Sequence, residues 1–406
     1  NVQNQPYGGF MWIDIGMQAF QKWENNHDGY GSFEDLEAAT LDDVKAFHRD
    51  FYGPNNAILS LAGDISPEEG FALAEKYFGD IARRPTPPAP DFSEGLNTQE
   101  KRITQGDKLA QVPAIAAAWK MPDRGSPDQA PMAVLGALLA NGDASRLYQG
   151  LVKGRELALN VDSLYGLTSE WEYDGPTLFT VFALYKPTTD ADAVLAAIDE
   201  EITRLLAEGP TAEELERARA VFRAGFVRGI ERIGGFGGKA DALAECAVYA
   251  GDPGCFRESL RLIDTATAAE LQATGREWLG KGEHTVVVMP GERTPLAEEP
   301  AGVPRPWDLP EVDARYSTLA PAVDRSQGVP MPEAFPELKF PAVERATLSN
   351  GSTVVLARRS GVPVVQLDYQ FPGAGYSADG EGRMGTASFA MGMLDEGAAG
   401  VGPLEF

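Results

Sequence analysis

Histidine and cysteine are scarce in this chain: its 406 residues hold three of the first and two of the second. Zinc-type sites need three or four such ligands within reach of one another. His27, His48 and His284 stand in neither H-E-x-x-H nor H-x-x-E-H spacing, so no metallopeptidase signature is present. Basic residues are also in deficit. Against 60 Asp and Glu there are 35 Lys and Arg, for a net charge of −25. That balance speaks against nucleic acid, whose phosphates need clustered cations, and against anionic membrane surfaces. No apolar run approaches the roughly 20 residues of a membrane-spanning helix. The chain has no Gly-x-Ser-x-Gly elbow and no phosphate loop. It carries no signal peptide, and Asn1 stands where a Met would begin a gene product, so the natural start is expected upstream.

What the chain does have is internal repetition. Residues 40–63 read as a capped helix, a turn and a buried strand. Thr40 with Asp43 is a capping-box variant, Val44, Phe47 and Phe51 form a helical stripe, and Gly53-Pro54-Asn55-Asn56 is turn chemistry. The run 57–62 has the length and apolarity of a strand. The pattern returns at Thr267 with a constant offset, 267 − 40 = 227, which carries Arg49 to Arg276, Phe51 to Trp278 and Gly53 to Gly280. A second echo carries Val112-Pro113 to Val362-Pro363, an offset of 362 − 112 = 250, and runs through Trp119 and Met121 to Tyr369 and Phe371. Such distances are too long for a solenoid and imply copies of a whole domain. Each unit opens with a strand and a helix and closes with a helix and a strand.

The resulting division is a closing half over 1–82, a Pro-rich linker over 83–96, a complete unit over 97–290, a long linker over 291–341, and an opening half over 342–406. Within it, helices are predicted over 9–23 (with Phe10, Ile13, Met17 and Phe20 inward), 66–78, 128–140, 145–152, 190–207, 211–233, 239–249 and 267–279. Strands are predicted over 101–104, 112–120, 157–167, 177–185 and 285–289, and a hairpin over 347–356 turning at Asn350-Gly351. The fold class is α+β, with repeated, mainly antiparallel sheets and helices packed on one face.

Few residues offer chemistry. Glu24 and His27 are three apart but sit beside Asn25, Asn26 and Gly29, where a helix should end, and read as surface polar residues. His48 lies on a polar helix face and His284 at a strand start. Gly234 to Gly238 lacks the preceding strand of a dinucleotide site and reads as a helix break. Arg217, Arg219, Arg223, Arg228 and Arg232 load one helix with positive charge, as partners for the acidic surface or for an anionic peptide terminus. Cys246 and Cys255 flank the turn Gly251-Asp252-Pro253-Gly254, which is compatible with a disulfide and with two free thiols.

Residues 31–63, 143–157 and 348–396 resemble the pitrilysin/insulinase-type zinc peptidases, which include the mitochondrial processing peptidases. The resemblance implies homologous domains paired into two halves that close around an unfolded peptide. It implies zinc held by His-x-x-Glu-His and a later Glu, with the motif's own Glu activating water. Aligned residue by residue, that motif falls upstream of the segment Gln3 to Gly8, before Asn1. Its counterpart in the last unit falls on Ser388, Phe389, Ala390, Met391 and Gly392, where both His and the Glu are replaced. The substrate-holding Arg and Tyr of the family's last domain correspond here to Val152 and Leu159. The expectation is a fragment of a longer zinc metalloendopeptidase, probed by peptide or unfolded protein, with no catalytic or metal residue of its own and inactive alone. The alternative is a family member that serves as a partner subunit or scaffold. The resemblance further implies homo- or hetero-dimers and a periplasmic location.

Overall fold

A computed structural model describes residues 5–9, 13–165, 175–280, 282–292, 328, 337, 340–358, 361, 363–402 and 404. The N-terminal stretch carries α1 (Ile15–Ala19), α2 (Trp23–Asn26), α3 (Phe33–Ala38), α4 (Leu41–Phe51) and α5 (Pro67–Phe78). The middle carries β1 (Lys101–Asp107), β2 (Ala114–Lys120), α6 (Gln129–Ala140), a π-helical turn (Tyr148–Gly154), β3 (Ala158–Tyr165) and β4 (Leu178–Tyr185). It continues with α7 (Ala191–Glu208), α8 (Ala212–Gly229), α9 (Lys239–Ala250), α10 (Phe256–Thr265), α11 (Ala268–Trp278) and β5 (His284–Pro290). Beyond lie β6 (Val343–Thr347), β7 (Thr353–Ala357) and α12 (Thr386–Gly392).

The middle stretch builds a five-stranded sheet in the order β1-β5-β2-β4-β3. Only β1 and β5 run parallel; the remaining pairs are antiparallel. The last strand in sequence is thus inserted between the first two. Period-two alternation divides each strand between two cores. Ile115, Ala117 and Trp119 of β2, with Phe179, Val181 and Ala183 of β4, face the larger core under the helices. Ala114, Ala116 and Ala118, with Val286 and Val288 of β5, face a smaller core on the opposite side. Every residue of β2 is buried, which is why its sequence shows an unbroken apolar run and no polar alternation.

α6 lies at the centre of the helical layer, and its residues 130–140 are all buried. A helix enclosed on all sides shows no amphipathic stripe. α11 packs on it at the close approach of Gly275, where an added Cβ would fall 2.3 Å from Leu206 Cδ2 and 3.1 Å from Leu135 Cδ1. Gly275→Ala is therefore expected to destabilise the unit by about 1–3 kcal/mol, overpacking outweighing the helix-propensity gain. Urea titration would check this; a stabilised variant would contradict the packing described.

The opposite face is covered by the N-terminal segment. Ile15, Ala19 and Phe20 are buried against the alanines of β2, whose small side chains let the segment lie close. Tyr7 fixes its start, donating its N–H to Asp107 Oδ2 at 2.7 Å and its hydroxyl to the Val112 carbonyl at 2.8 Å. The helix expected over 9–23 is broken here, with Phe20 extended (φ −96°, ψ 158°) between α1 and α2. The break frees the N–H groups of Gln21 and Lys22, which both donate to Glu94 Oε1, at 3.0 and 2.8 Å. Phe10 and residues 3–4 lie outside the described residues, as do residues 166–167 of the expected strand and most of the 291–341 linker.

The first echo holds for its helix and fails for its strand. α4 and α11 are both 11 residues long, and both open on complete capping boxes, Thr40 with Asp43 and Thr267 with Glu270. The 227-residue offset carries 41–51 onto 268–278 without a gap. After the turn, however, residues 284–290 form β5 whereas 57–62 form no strand. The second echo is likewise half realised: 114–120 form β2, and residues 363–370 pair with no strand. The physical reason is shared. A strand needs a partner for its backbone N–H and C=O groups, and among the described residues none lies alongside either segment. Ile58, Leu59 and Leu61 remain about half exposed, and Val365 is 86 % exposed. Val362 itself lies outside the described residues. The hairpin β6–β7 forms as expected, with Gly351 at φ +88° in its turn.

Candidate functional site

The three positions that would carry a zinc motif lie on α12. Ser388, Met391 and Gly392 stand on a short helix none of whose residues is buried. The Asp379 carboxylate accepts the N–H groups of Gly385 and Ala387, at 2.7 and 2.8 Å, and fixes the start of that helix. A hydroxyl, a thioether and a hydrogen at these positions do not make a zinc ligand set. His27 is no better placed: its ring stacks on Trp23, with centroids 4.3 Å apart, and its Nδ1 donates to the Trp23 carbonyl at 2.5 Å. His48 is exposed and stacks on Tyr52. Among the described residues no group of three or more His, Cys, Asp or Glu converges to hold a metal ion. The described residues do not fit zinc.

Val152 and Leu159 flank the end of the π-helical turn; Val152 packs against the main core and Leu159 is 45 % exposed. Neither offers a hydrogen bond to a peptide. The polar groups nearby are committed to one another. Arg146 makes two parallel hydrogen bonds to Glu214, both 2.8 Å, and a third to the Gly209 carbonyl at 3.0 Å. Glu214 is also the third residue of α8 and accepts the N–H of its cap, Thr211, at 2.8 Å. Burial alone would push the Glu214 carboxyl up, but the Arg146 and Thr211 bonds hold it below the usual carboxylate range. One ion pair thereby staples the residues just before the π-helical turn to the start of α8. It borders a cleft of about 1010 Å³ that is also lined by Arg155, Glu201, Arg204 and Arg217. Glu201, only 4 % exposed, is ion-paired with Arg204 and lies 4.0 Å from Arg155. Three of the cleft's arginines, Arg146, Arg155 and Arg204, are thus paired with glutamates.

The arginines of α8 follow the same rule. Arg223 binds Asp264 at 2.7 Å, while Arg217 and Arg219 donate to the carbonyls of Ala144 and Ala266. They join helices to neighbouring elements more than they balance surface charge. Gly234 to Gly238 is the helix break expected, with Gly235 and Gly237 at φ +80° and +70°. Cys246 and Cys255 are joined by a disulfide that ties α9 to the start of α10.

The densest buried polar group lies beneath α1. Lys120 and Glu94 pair at 2.9 Å with each side chain only 3 % exposed. Lys120 also donates to the Gly95 carbonyl at 2.9 Å and lies 5.5 Å from the Phe20 ring. Glu94 accepts from Gln21, Lys22, Asn25 and Lys120, which together overcome the burial that would raise it and hold it low. Beside this pair, His284 is 1 % exposed with no hydrogen bond at either ring nitrogen. Burial, reinforced by Lys101 and Lys120, lowers its pKa to about 4. Its neighbour Glu283 is pushed up to about 7 by burial, against the pull of a bond from Thr285.

Residues 38–222 match the family described as the peptidase M16 inactive domain. The chain is 25% identical over 273 residues to an uncharacterised zinc protease of Mycobacterium bovis, covering 66% of this chain and 60% of that protein. The chain thus spans somewhat over half the length of that relative. The crystal structure of a protease from Helicobacter pylori has the same fold, with a TM-score of 0.63 and 22% identity, covering 71% of this chain and 68% of that one. A chain of complex III2 from Candida albicans also shares it, with a TM-score of 0.58 and 17% identity over 71% of this chain and 67% of that one.

Proposed function

We propose that this chain is the non-catalytic portion of a zinc-dependent metallopeptidase that encloses peptides or unfolded protein between two halves. The observation that carries the reading is the match of residues 38–222 to the M16 inactive domain, in a chain whose relative is a zinc protease. The donor-free positions Ser388, Met391 and Gly392 support it. Zinc belongs to the whole enzyme and is held by residues other than these. The Cys246–Cys255 disulfide favours an oxidising compartment, which is the basis for assigning the protein to the periplasm. Purified, chelator-washed chain is expected to retain far less than one zinc and to leave an unstructured fluorogenic peptide intact, with or without added zinc. A version extended upstream is expected to cleave it. Near one zinc per chain by metal analysis, or zinc-dependent cleavage abolished by His27→Ala, would overturn the assignment.

A second reading, a partner or scaffold subunit of an assembly, is favoured by the fold likeness to a chain of complex III2. The two readings part at the upstream sequence. His-x-x-Glu-His with a later Glu supports the enzyme, and substitutions there support the scaffold.

A further inference from the structure

Of the 12 residues of α9, only Cys246 is buried. No described residue of α9 belongs to either core. Glycine lies at both ends of the helix. Gly234 to Gly238 precede it, and Gly251 follows it in the left-handed region at φ +68°. Tyr249 meets the Arg124 guanidinium, 4.6 Å from its ring, which is a weak contact at a site open to water. The covalent tie is the Cys246–Cys255 disulfide, which joins α9 to the start of α10. α10 is fixed independently. Ile263 is buried in the larger core, and Phe256 stacks on Phe226 of α8 with ring centroids 5.3 Å apart.

The two sulfurs differ. Cys246 is 2 % exposed, whereas Cys255 is half-buried in a turn beside exposed Asp252 and Pro253. In thiol–disulfide exchange a thiolate must reach one sulfur, and the step is faster when the other leaves as a stabilised thiolate. Access selects Cys255 as the sulfur attacked. The leaving side is prepared at Cys246. The Phe256 N–H, the first of α10, donates to Cys246 Sγ at 3.1 Å. Cys255 gives α10 no side-chain cap, so the sulfur fills that place. An N–H at a helix start stabilises a thiolate as it does other anions.

We propose that the Cys246–Cys255 disulfide is a reversible modification site for small thiols, with Cys255 the attacked sulfur and Cys246 the leaving group, and that its opening releases α9. A thiolate bonds to Cys255 Sγ as the Cys246–Cys255 bond breaks, and the electron pair of that bond stays on Cys246 Sγ. A second thiolate then attacks the small thiol's sulfur in the mixed disulfide and expels Cys255 as a thiolate. Two thiols are joined into one disulfide while one protein disulfide is reduced. α10 stays on the core. α9, with its one buried residue freed and glycine at each end, loses its place against α10, and reoxidation restores it. The exchange needs nothing outside the central unit and holds whether or not the whole protein hydrolyses peptides.

Glutathione is the probe. The full chain is incubated with it at neutral pH without denaturant, and excess N-ethylmaleimide then caps any thiol set free. Chymotryptic cleavage after Tyr249 separates the two cysteines for mass analysis. Glutathione is expected on Cys255 and the maleimide on Cys246. The reverse placement would overturn the assignment of the leaving group, and a disulfide that opens only in urea would overturn the site. Hydrogen exchange reads α9 separately. On reduction with dithiothreitol, protection over residues 239–250 is expected to fall roughly tenfold or more, with β2 and β4 unchanged. The double variant Cys246→Ser, Cys255→Ser, shown to be folded by circular dichroism, is expected to match the reduced chain without any reductant. Unchanged protection over 239–250 in either sample would overturn the release of α9. An equal loss across the sheet would mark a merely structural bond and overturn it too.

Discussion

Glu94→Gln is expected to destabilise the central unit by about 3–5 kcal/mol, the range for breaking one side of a buried ion pair. The substitution keeps the shape and one carbonyl oxygen for the N–H groups of Gln21 and Lys22. It turns an amide N–H₂ toward Lys120 Nζ where a carboxylate oxygen stood at 2.9 Å. The ammonium is then left 3 % exposed with the Gly95 carbonyl and the Phe20 ring as its remaining partners. Because Lys120 ends β2 and Glu94 holds the turn after α1, protection against hydrogen exchange is expected to fall first at residues 13–25. Combining the change with Lys120→Met is expected to recover part of the loss, since replacing both charges is far less costly than orphaning one. Urea titrations of the two singles and the double test this. Additive losses would show that the pair contributes no coupling and that the described geometry is not what stabilises the segment.

Glu283→Gln is expected to expose a pH dependence that the unaltered chain conceals. His284 has a folded pKa of about 4, below the ordinary 6.5. Its contribution is present above pH 6.5 and is lost as pH falls through 4. Glu283 has a folded pKa of about 7, above the ordinary 4.5. Its contribution is present below pH 4.5 and is lost as pH rises through 7. Two adjacent residues thus tilt stability in opposite directions across the same interval, each by about 3.4 kcal/mol at most. With Glu283 neutralised, the urea midpoint should rise steadily from pH 4 to 6.5. With His284→Asn it should fall between pH 4.5 and 7. A midpoint in Glu283→Gln that does not move with pH would show that His284 is not buried as described.

Much of this architecture is legible in the chain because it depends on local chemistry. Thr40, Ser66, Thr211 and Thr267 announce helix starts through bonds that span three residues, and all four caps form. α10 is missed because the turn before it, Pro253-Gly254, reads as a loop signal, although Phe256 and Ile263 face inward at helical spacing. α3 is missed although Ser32 with Asp35 repeats the capping logic of Thr40 with Asp43. The strands at 57–62 and 363–370 are overread because apolar content reports the wish to be buried and not the presence of a partner. The buried Lys120–Glu94 pair is invisible for the opposite reason. Nothing within several residues of Glu94 hints at a lysine 26 positions away, and its place is decided by how the N-terminal segment crosses the sheet. Glu24 and His27 can be dismissed from sequence alone because their neighbours already end the helix.

The insertion of β5 between β1 and β2 also sets a timetable. β1 cannot acquire its neighbour until the ribosome has made residues 183 positions further on, since Lys101 pairs with His284. At translation rates of 5–20 residues per second the wait is roughly ten to forty seconds. Throughout it the nascent sheet must keep a vacant slot, with two unsatisfied edges facing each other. High contact order of this kind slows folding and favours intermediates that capture stray strands. The unit is therefore expected to depend on a holding chaperone during synthesis more than its size alone would suggest, and to refold slowly from denaturant even when every helix has already formed.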